Sequence, residues 1–158
     1  MAYASTRIKK VAAAAFESET IETDEFCIKK PDGFLTMVGG DPKYAFESYS
    51  KEFGDGDAKE IRKAQARLTI CEGQGVSKVV KGLKSGVQVK SDFNEVVNEL
   101  TYRVLEFERI EKDIPYTVLI KIIERLGKVF VFEIDMLAAA EPEFKEKAES
   151  LLAGFSVK

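Results

Sequence analysis

The chain predicts an α+β fold, an antiparallel β-sheet meander covered by helices in an α/β/α sandwich. Three observations carry that expectation. The runs "YRVLEFERI", "YTVLIKIIERL" and "KVFVFEIDM" are rich in β-branched and aromatic residues and follow one another across short turns, as strands paired in sequence order do. Helical signals stand before and after these runs, so the sheet has helices to cover it. With 158 residues, 45% of them hydrophobic and 32% charged, the chain is long enough for one domain with its own core.

The elements follow in order. Residues 1–20 read as an amino-terminal arm or short helix, with residues 21–158 as a single domain. Phe26 and Ile28 alternate with polar neighbours before the turn signal Pro31-Asp32-Gly33, which places a strand over residues 25–30. A second short strand follows in "LTMV", a break at Gly39-Gly40, and a third strand over residues 44–49. "EFGDGDAKE" is a polar loop, and residues 66–72 form another strand. Residues 76–83, "VSKVVKGL", predict a short helix that Gly82 weakens. Residues 91–99, "SDFNEVVNE", predict a clearer one: Ser91 caps it, Asp92 suits its first turn, and Phe93, Val96, Val97 and Leu100 share a face. After the meander, whose last two strands turn at Leu126-Gly127-Lys128, Pro142 opens a final helix with Glu141 and Glu143 at its positive end. Phe144, Ala148, Leu151 and Leu152 form its buried stripe, Gly154 ends it, and "FSV" returns as an edge strand.

Composition removes several function classes. The chain has no histidine, so it can form neither a Ser-His-Asp nor a Cys-His centre and offers no imidazole metal ligand. Its two cysteines, Cys27 and Cys71, cannot build a structural zinc site. They read either as two buried thiols or as one disulfide, which would need an oxidising compartment. The net charge of −3 argues against general nucleic-acid binding, and no apolar run is long enough to suggest a membrane span.

Within this mildly acidic chain two basic clusters stand out. Lys78, Lys81 and Lys84 recur every third residue and fall near one face of the short helix, with Lys90 just beyond. Arg7, Lys9 and Lys10 form a second cluster on the arm. Such clusters either face solvent or steer the protein onto an acidic partner, with an on-rate that falls as salt rises. The carboxylates Glu106, Glu108, Glu111, Glu124 and Glu133 lie on neighbouring strands. They are read as an exposed sheet face paired across strands to Arg109, Lys121 and Arg125, the alternative being acid–base chemistry in a cleft. "GDGD" at residues 54–57 lacks the further ligands of a calcium loop, and "GGDP" and "EGQG" lack the Lys-Ser/Thr of a phosphate loop; all three are read as loops or turns.

The closing stretch resembles the carboxy-terminal half of the PsbP family, the extrinsic proteins of oxygen-evolving photosystem II and their lumenal relatives. The likeness runs through "TYRVLEFERI", "YTVLIKIIERLGKVFVFEIDM" and "PEFKEKAESLLAGFSVK". Leu126-Gly127-Lys128 stands at the family's "DGK-Y" turn with Phe130 in the aromatic place, and Gly154-Phe155-Ser156-Val157 at its "SFSV" ending. "FCIKKPDGF" looks like the family's first strand, with Phe34 where a tryptophan is usual. The middle of the chain, residues 35–90, carries no such likeness.

The resemblance implies a PsbP-like fold and a non-enzymatic protein without cofactor in the chloroplast thylakoid lumen, peripheral to the membrane. It implies an extrinsic or assembly subunit docking on membrane-embedded photosystem subunits and other extrinsic proteins, most of all at photosystem II, where the family supports oxygen evolution by retaining calcium and chloride or assists assembly. The family binds through its flexible amino-terminal segment and basic surface residues, and Arg7, Lys9 and Lys10 match that segment by position and charge. The same fold serves a Ran-binding nuclear-import factor and bacterial lipoproteins, so the alternative is a soluble adaptor binding a small GTPase or another protein. A small enzyme using carboxylates is the third reading, to be sought as a cleft in which carboxyl groups titrate far above their usual range.

Overall fold

The structure, a computed structural model, describes residues 17–38 and 40–158. The arm residues Arg7, Lys9 and Lys10, and Gly39 of the predicted break, lie outside the described residues. Among those described, the strands form two antiparallel sheets. The larger has seven strands in the order β3-β4-β5-β9-β8-β7-β6, comprising β3 (Phe34–Thr36), β4 (Tyr44–Ser50), β5 (Ala64–Glu72), β6 (Val89–Val97), β7 (Leu100–Glu111), β8 (Ile114–Arg125) and β9 (Lys128–Leu137). The smaller places β2 (Phe26–Lys30) between β1 (Glu19–Glu22) and β10 (Phe155–Val157). Helix α1 (Val76–Lys84) carries the chain from β5 to the far edge at β6, and α2 (Glu141–Ala153) follows β9 through a short 3-10 turn, Ala138–Ala140.

The meander is built on two-residue turns. Val97 pairs with Leu100, Glu111 with Ile114 and Arg125 with Lys128. Both residues of each turn have positive φ: Asn98 and Glu99 at 50° and 67°, Lys112 and Asp113 at 52° and 66°, Leu126 and Gly127 at 51° and 79°. That is the backbone of the type I′ turn, whose twist matches the strands it joins.

The first of these hairpins corrects the sequence reading. Residues 91–99 are not a helix; they belong to β6 and its turn, with Ser91 paired to Glu106 and Val97 to Leu100. The helical reading required a buried apolar face, yet Phe93 and Val96 are 49% and 68% exposed. With only Val97 and Leu100 of that stripe packed on the core, pairing with the long β7 decides the backbone, and local capping signals yield to it.

Period-two alternation divides the core. Along β9, Phe130, Phe132, Ile134 and Met136 face α2, and Val129 and Val131 face α1. This is why "KVFVFEIDM" is almost continuously apolar: the strand is covered on both faces. Phe144, Ala148, Leu151 and Leu152 of α2 seal the first side together with Phe34 and Phe46 and with Ile28 and Phe155 of the small sheet. Each such side chain contributes about 1.5–3 kcal/mol by leaving water. Val80 of α1 closes the second side over Leu105, Phe107, Ile120 and Ile122.

The small sheet is fastened by polar contacts inside the apolar layer. Lys121 is buried, its Nζ donates to the Phe155 carbonyl at 2.7 Å, and it lies 4.6 Å from the Tyr102 ring centroid. Tyr102 Oη in turn accepts from the Val157 amide at 3.1 Å. Gly154 ends α2 as expected, though with φ −73° rather than a left-handed conformation. A Cβ built on it would lie 2.3 Å from the Lys29 carbonyl oxygen, so glycine is required here by close backbone approach. The backbone hydrogen bond from Lys29 N to Gly154 O, 2.9 Å, spans the same contact. Cys27 and Cys71 are both free thiols.

Candidate docking face and polar cleft

Helix α1 is amphipathic over Val76–Lys84: Val76, Val79, Val80 and Leu83 turn toward the sheet at helical spacing. Lys78 and Lys81 stand on its outer side, exposed, and neither forms an ion pair with a described residue. Lys84 behaves differently. Its ammonium pairs with Asp92 of β6, which also receives a two-nitrogen contact from Arg103, 2.5 Å from Nε to Oδ1 and 2.9 Å from Nη2 to Oδ2. Hydrogen bonds from Arg103 and then Lys84 hold the Asp92 carboxyl well below its usual range. Lys84 therefore ties the helix end to the edge strand, and Lys90 is paired with Glu106 at 3.1 Å. The basic face read from spacing reduces to two free lysines.

The same face of the sheet continues beyond α1 without a helix over it. Strand register assembles the groups there. Tyr49 of β4 pairs with Gln65 of β5, and Gln65 with Asp135 of β9; one row along, Glu47 pairs with Arg67, and Arg67 with Glu133. On the other side of β9, Tyr116 of β8 stands opposite Arg109 of β7. These residues border an open cleft of about 560 Å³, within the range of small-ligand sites.

At the floor, Arg109 reaches across β8 to β9. Its Nη2 donates to Asp135 Oδ2 at 2.8 Å and its Nη1 to Glu133 Oε2 at 3.5 Å, with Glu111 Oε2 3.8 Å from Nε. One guanidinium thus serves three carboxylates. Asp135 Oδ1 and Arg109 Nε are buried without a hydrogen-bond partner. Burial first, then a shared hydrogen bond with Glu133 and the charge of Glu133, push the Asp135 carboxyl up to about 7 against the pull of Arg109. On the opposite wall, Arg62 lies 4.7 Å from the Tyr49 ring centroid and 4.1 Å from that of Phe53. Its Nη1 donates to the Ser50 and Lys51 carbonyls, and no described carboxylate pairs with it.

The expected cross-strand pairing is present for Arg109 with Glu133, while Glu111 meets Arg109 from the same strand, and it is absent for the other two cations. Lys121 points to the opposite face, and Arg125 Nε donates to the Lys158 carbonyl at 2.9 Å. Asp135, Arg62, Tyr49 and Tyr116 were not singled out from sequence. The available signal was Glu133 and Asp135 at alternate positions in an otherwise apolar run, which puts two carboxylates on one face of a central strand. Carboxylates there need partners from neighbouring strands.

No family model matches the chain, and no curated protein matches it. Solved structures do. The solution structure of cyanobacterial PsbP (CyanoP) from Synechocystis has a TM-score of 0.60 at 13% identity, covering 90% of this chain and 92% of that one. LpqN, involved in cell envelope biogenesis of Mycobacterium tuberculosis, has a TM-score of 0.63 at 13% identity, covering 90% and 91%. A Pseudomonas aeruginosa protein described as a putative regulator has a TM-score of 0.50 at 11% identity, covering 84% and 92%. At these identities the likeness is one of fold: the chain has a PsbP-like fold, which proteins of differing function share.

Proposed function

We propose that the chain is a non-catalytic docking protein that binds an acidic protein surface through the outer face of α1. The observation that carries this reading is the pair Lys78 and Lys81, adjacent, exposed and free of described ion pairs in a chain of net charge −3. Free cations on a rigid helix steer association without first having to break internal pairs. In its finer form the partner is a photosystem, photosystem II above all, at the lumenal thylakoid surface. The sequence resemblance to the PsbP family and the CyanoP-like fold support that form. The comparable fold likeness to LpqN, involved in cell envelope biogenesis, supports a second form, in which the acidic partner belongs to a cell envelope.

Co-sedimentation with thylakoid membranes stripped of extrinsic proteins tests the finer form. Saturable binding that is released by high salt is expected. Absence of binding by folded protein at low salt refutes the photosystem reading. The double variant Lys78→Glu/Lys81→Glu should keep wild-type stability, because both side chains are exposed, while binding weakens and its salt dependence flattens. Unchanged binding would remove α1 from the interface.

A further inference from the structure

We propose that the cleft beside α1 binds a small zwitterion of amino-acid to dipeptide size, its ammonium group held by Glu133 and Asp135 and its carboxylate by Arg62. The argument rests on an uneven distribution of charge across one cavity. On the β7–β9 side three carboxylates, Glu111, Glu133 and Asp135, share the single cation Arg109. On the β4–β5 side Arg67 is matched by Glu47 at 3.2 Å, and Arg62 has no described carboxylate. The cleft is thus acid-rich at one end and has an unmatched guanidinium at the other. A ligand bearing both charges complements it, whereas a simple anion or cation satisfies only one end.

Two further observations point to an incoming donor. Asp135 Oδ1 is buried with no donor among the described residues, an atom whose desolvation is uncompensated. Arg62 is held between Tyr49 and Phe53, so its position is set before any ligand arrives. The groups facing Asp135 are Glu133 on its own strand, Arg109 and Glu111 from β7, Tyr116 from β8, and Gln65 with Arg67 from β5. Among them the carboxylates alone supply negative charge to a second cation. Because the Asp135 carboxyl is pushed up to about 7, a proton and a ligand ammonium compete for the same pair. Ligand binding should therefore be stronger above neutral pH than below it.

The test is a chemical-shift titration of isotope-labelled protein with β-alanine, γ-aminobutyrate and ε-aminohexanoate, a series of rising charge separation. Butylamine and butyrate serve as single-ended probes. At about pH 8 at least one zwitterion should perturb the Tyr49, Gln65 and Asp135 amides and bind about tenfold tighter than either single-ended probe. The same zwitterion should bind several-fold more weakly at about pH 5.5. Asp135→Asn and Arg62→Gln should each weaken it about tenfold. Arg62 also stacks and binds backbone, so a dispersed amide spectrum is the folding control, and Asp135→Asn with the pH comparison decides the matter if Arg62→Gln unfolds. No perturbation of the cleft by any zwitterion, butylamine binding as tightly as the zwitterion, or affinity indifferent to Asp135→Asn would each overturn the proposal.

Discussion

Two glycine-to-alanine substitutions should have opposite effects, and the structure sets the size of each. At Gly154 an alanine Cβ would stand 2.3 Å from the Lys29 carbonyl oxygen and 3.1 Å from its carbon. An ordinary carbon–oxygen contact is wider, and the atoms it meets are backbone, so the α2 terminus and β2 must separate. Overpacking of this kind costs about 1–3 kcal/mol. Separation also stretches the 2.9 Å hydrogen bond from Lys29 N to Gly154 O, a further contribution of about 1 kcal/mol. Because φ is −73°, alanine has no conformational penalty at this position and its smaller unfolded-state entropy offsets about 0.4–1 kcal/mol. Gly154→Ala should thus lose about 1–3.5 kcal/mol net, a drop in Tm of roughly 2–14 °C for a domain of this length. At Gly82, inside α1, an added Cβ meets nothing within 4 Å, so Gly82→Ala should gain about 0.5–1 kcal/mol through helix propensity. Urea denaturation followed by circular dichroism measures both. Gly154→Ala matching the wild type would refute the close-approach argument and return Gly154 to an ordinary helix end.

Three other substitutions complete the set. Leu126 is 85% exposed at φ 51°, so Leu126→Asn should relieve left-handed strain and raise stability by about 0.5–1 kcal/mol, read from the same denaturation curves. The Asp135 carboxyl is raised in the folded state, so its contribution is full below the unfolded value near 3.8 and is lost as pH rises through about 7. The wild type should therefore lose stability relative to Asp135→Asn between those values, and parallel curves against pH would contradict the assignment. Lys78→Glu/Lys81→Glu should lower membrane retention at low salt and leave the urea midpoint in place, two readings taken on the same sample.

How much of this was legible depended on where each residue finds its partners. The meander was plain because "YTVLIKIIERL" and "KVFVFEIDM" are covered on both faces, and burial imprints itself directly on composition. Helix α2 was plain because Pro142 and the spacing of Phe144, Ala148, Leu151 and Leu152 agree. The strand β6 misled because Phe93 and Val96 are exposed and do not encode a core, while Ser91 and Asp92 imitate a helix start; in the structure Asp92 serves Arg103 and Lys84 instead. β1, which straddles the boundary read at residue 20, was not read as a strand because "ETIE" has a single apolar residue and depends on pairing with β2. The lysine spacing on α1 was readable, but the loss of Lys84 to Asp92 was not, since that pair joins a helix to a strand read as helical. The cleft was least legible of all. Its floor joins Arg109 to Asp135 across an intervening strand, a relation fixed by sheet order rather than by spacing along the chain.

The arrangement of β10 bears on the order in which the molecule is made. The meander strands pair with their immediate neighbours across two-residue turns, so they can form as soon as they emerge during synthesis. β2 precedes the meander, yet it lines up Phe26 with Val157 and Ile28 with Phe155, which follow both the meander and α2. The partner that completes the small sheet, and the Phe155 ring that fills the core beneath it, are made only after the whole meander and α2. Until then Phe26 and Ile28 have no strand beside them on that edge. A nascent chain halted just before β10 would carry a finished meander and an exposed apolar strand, a species for chaperones to shield until β10 is made.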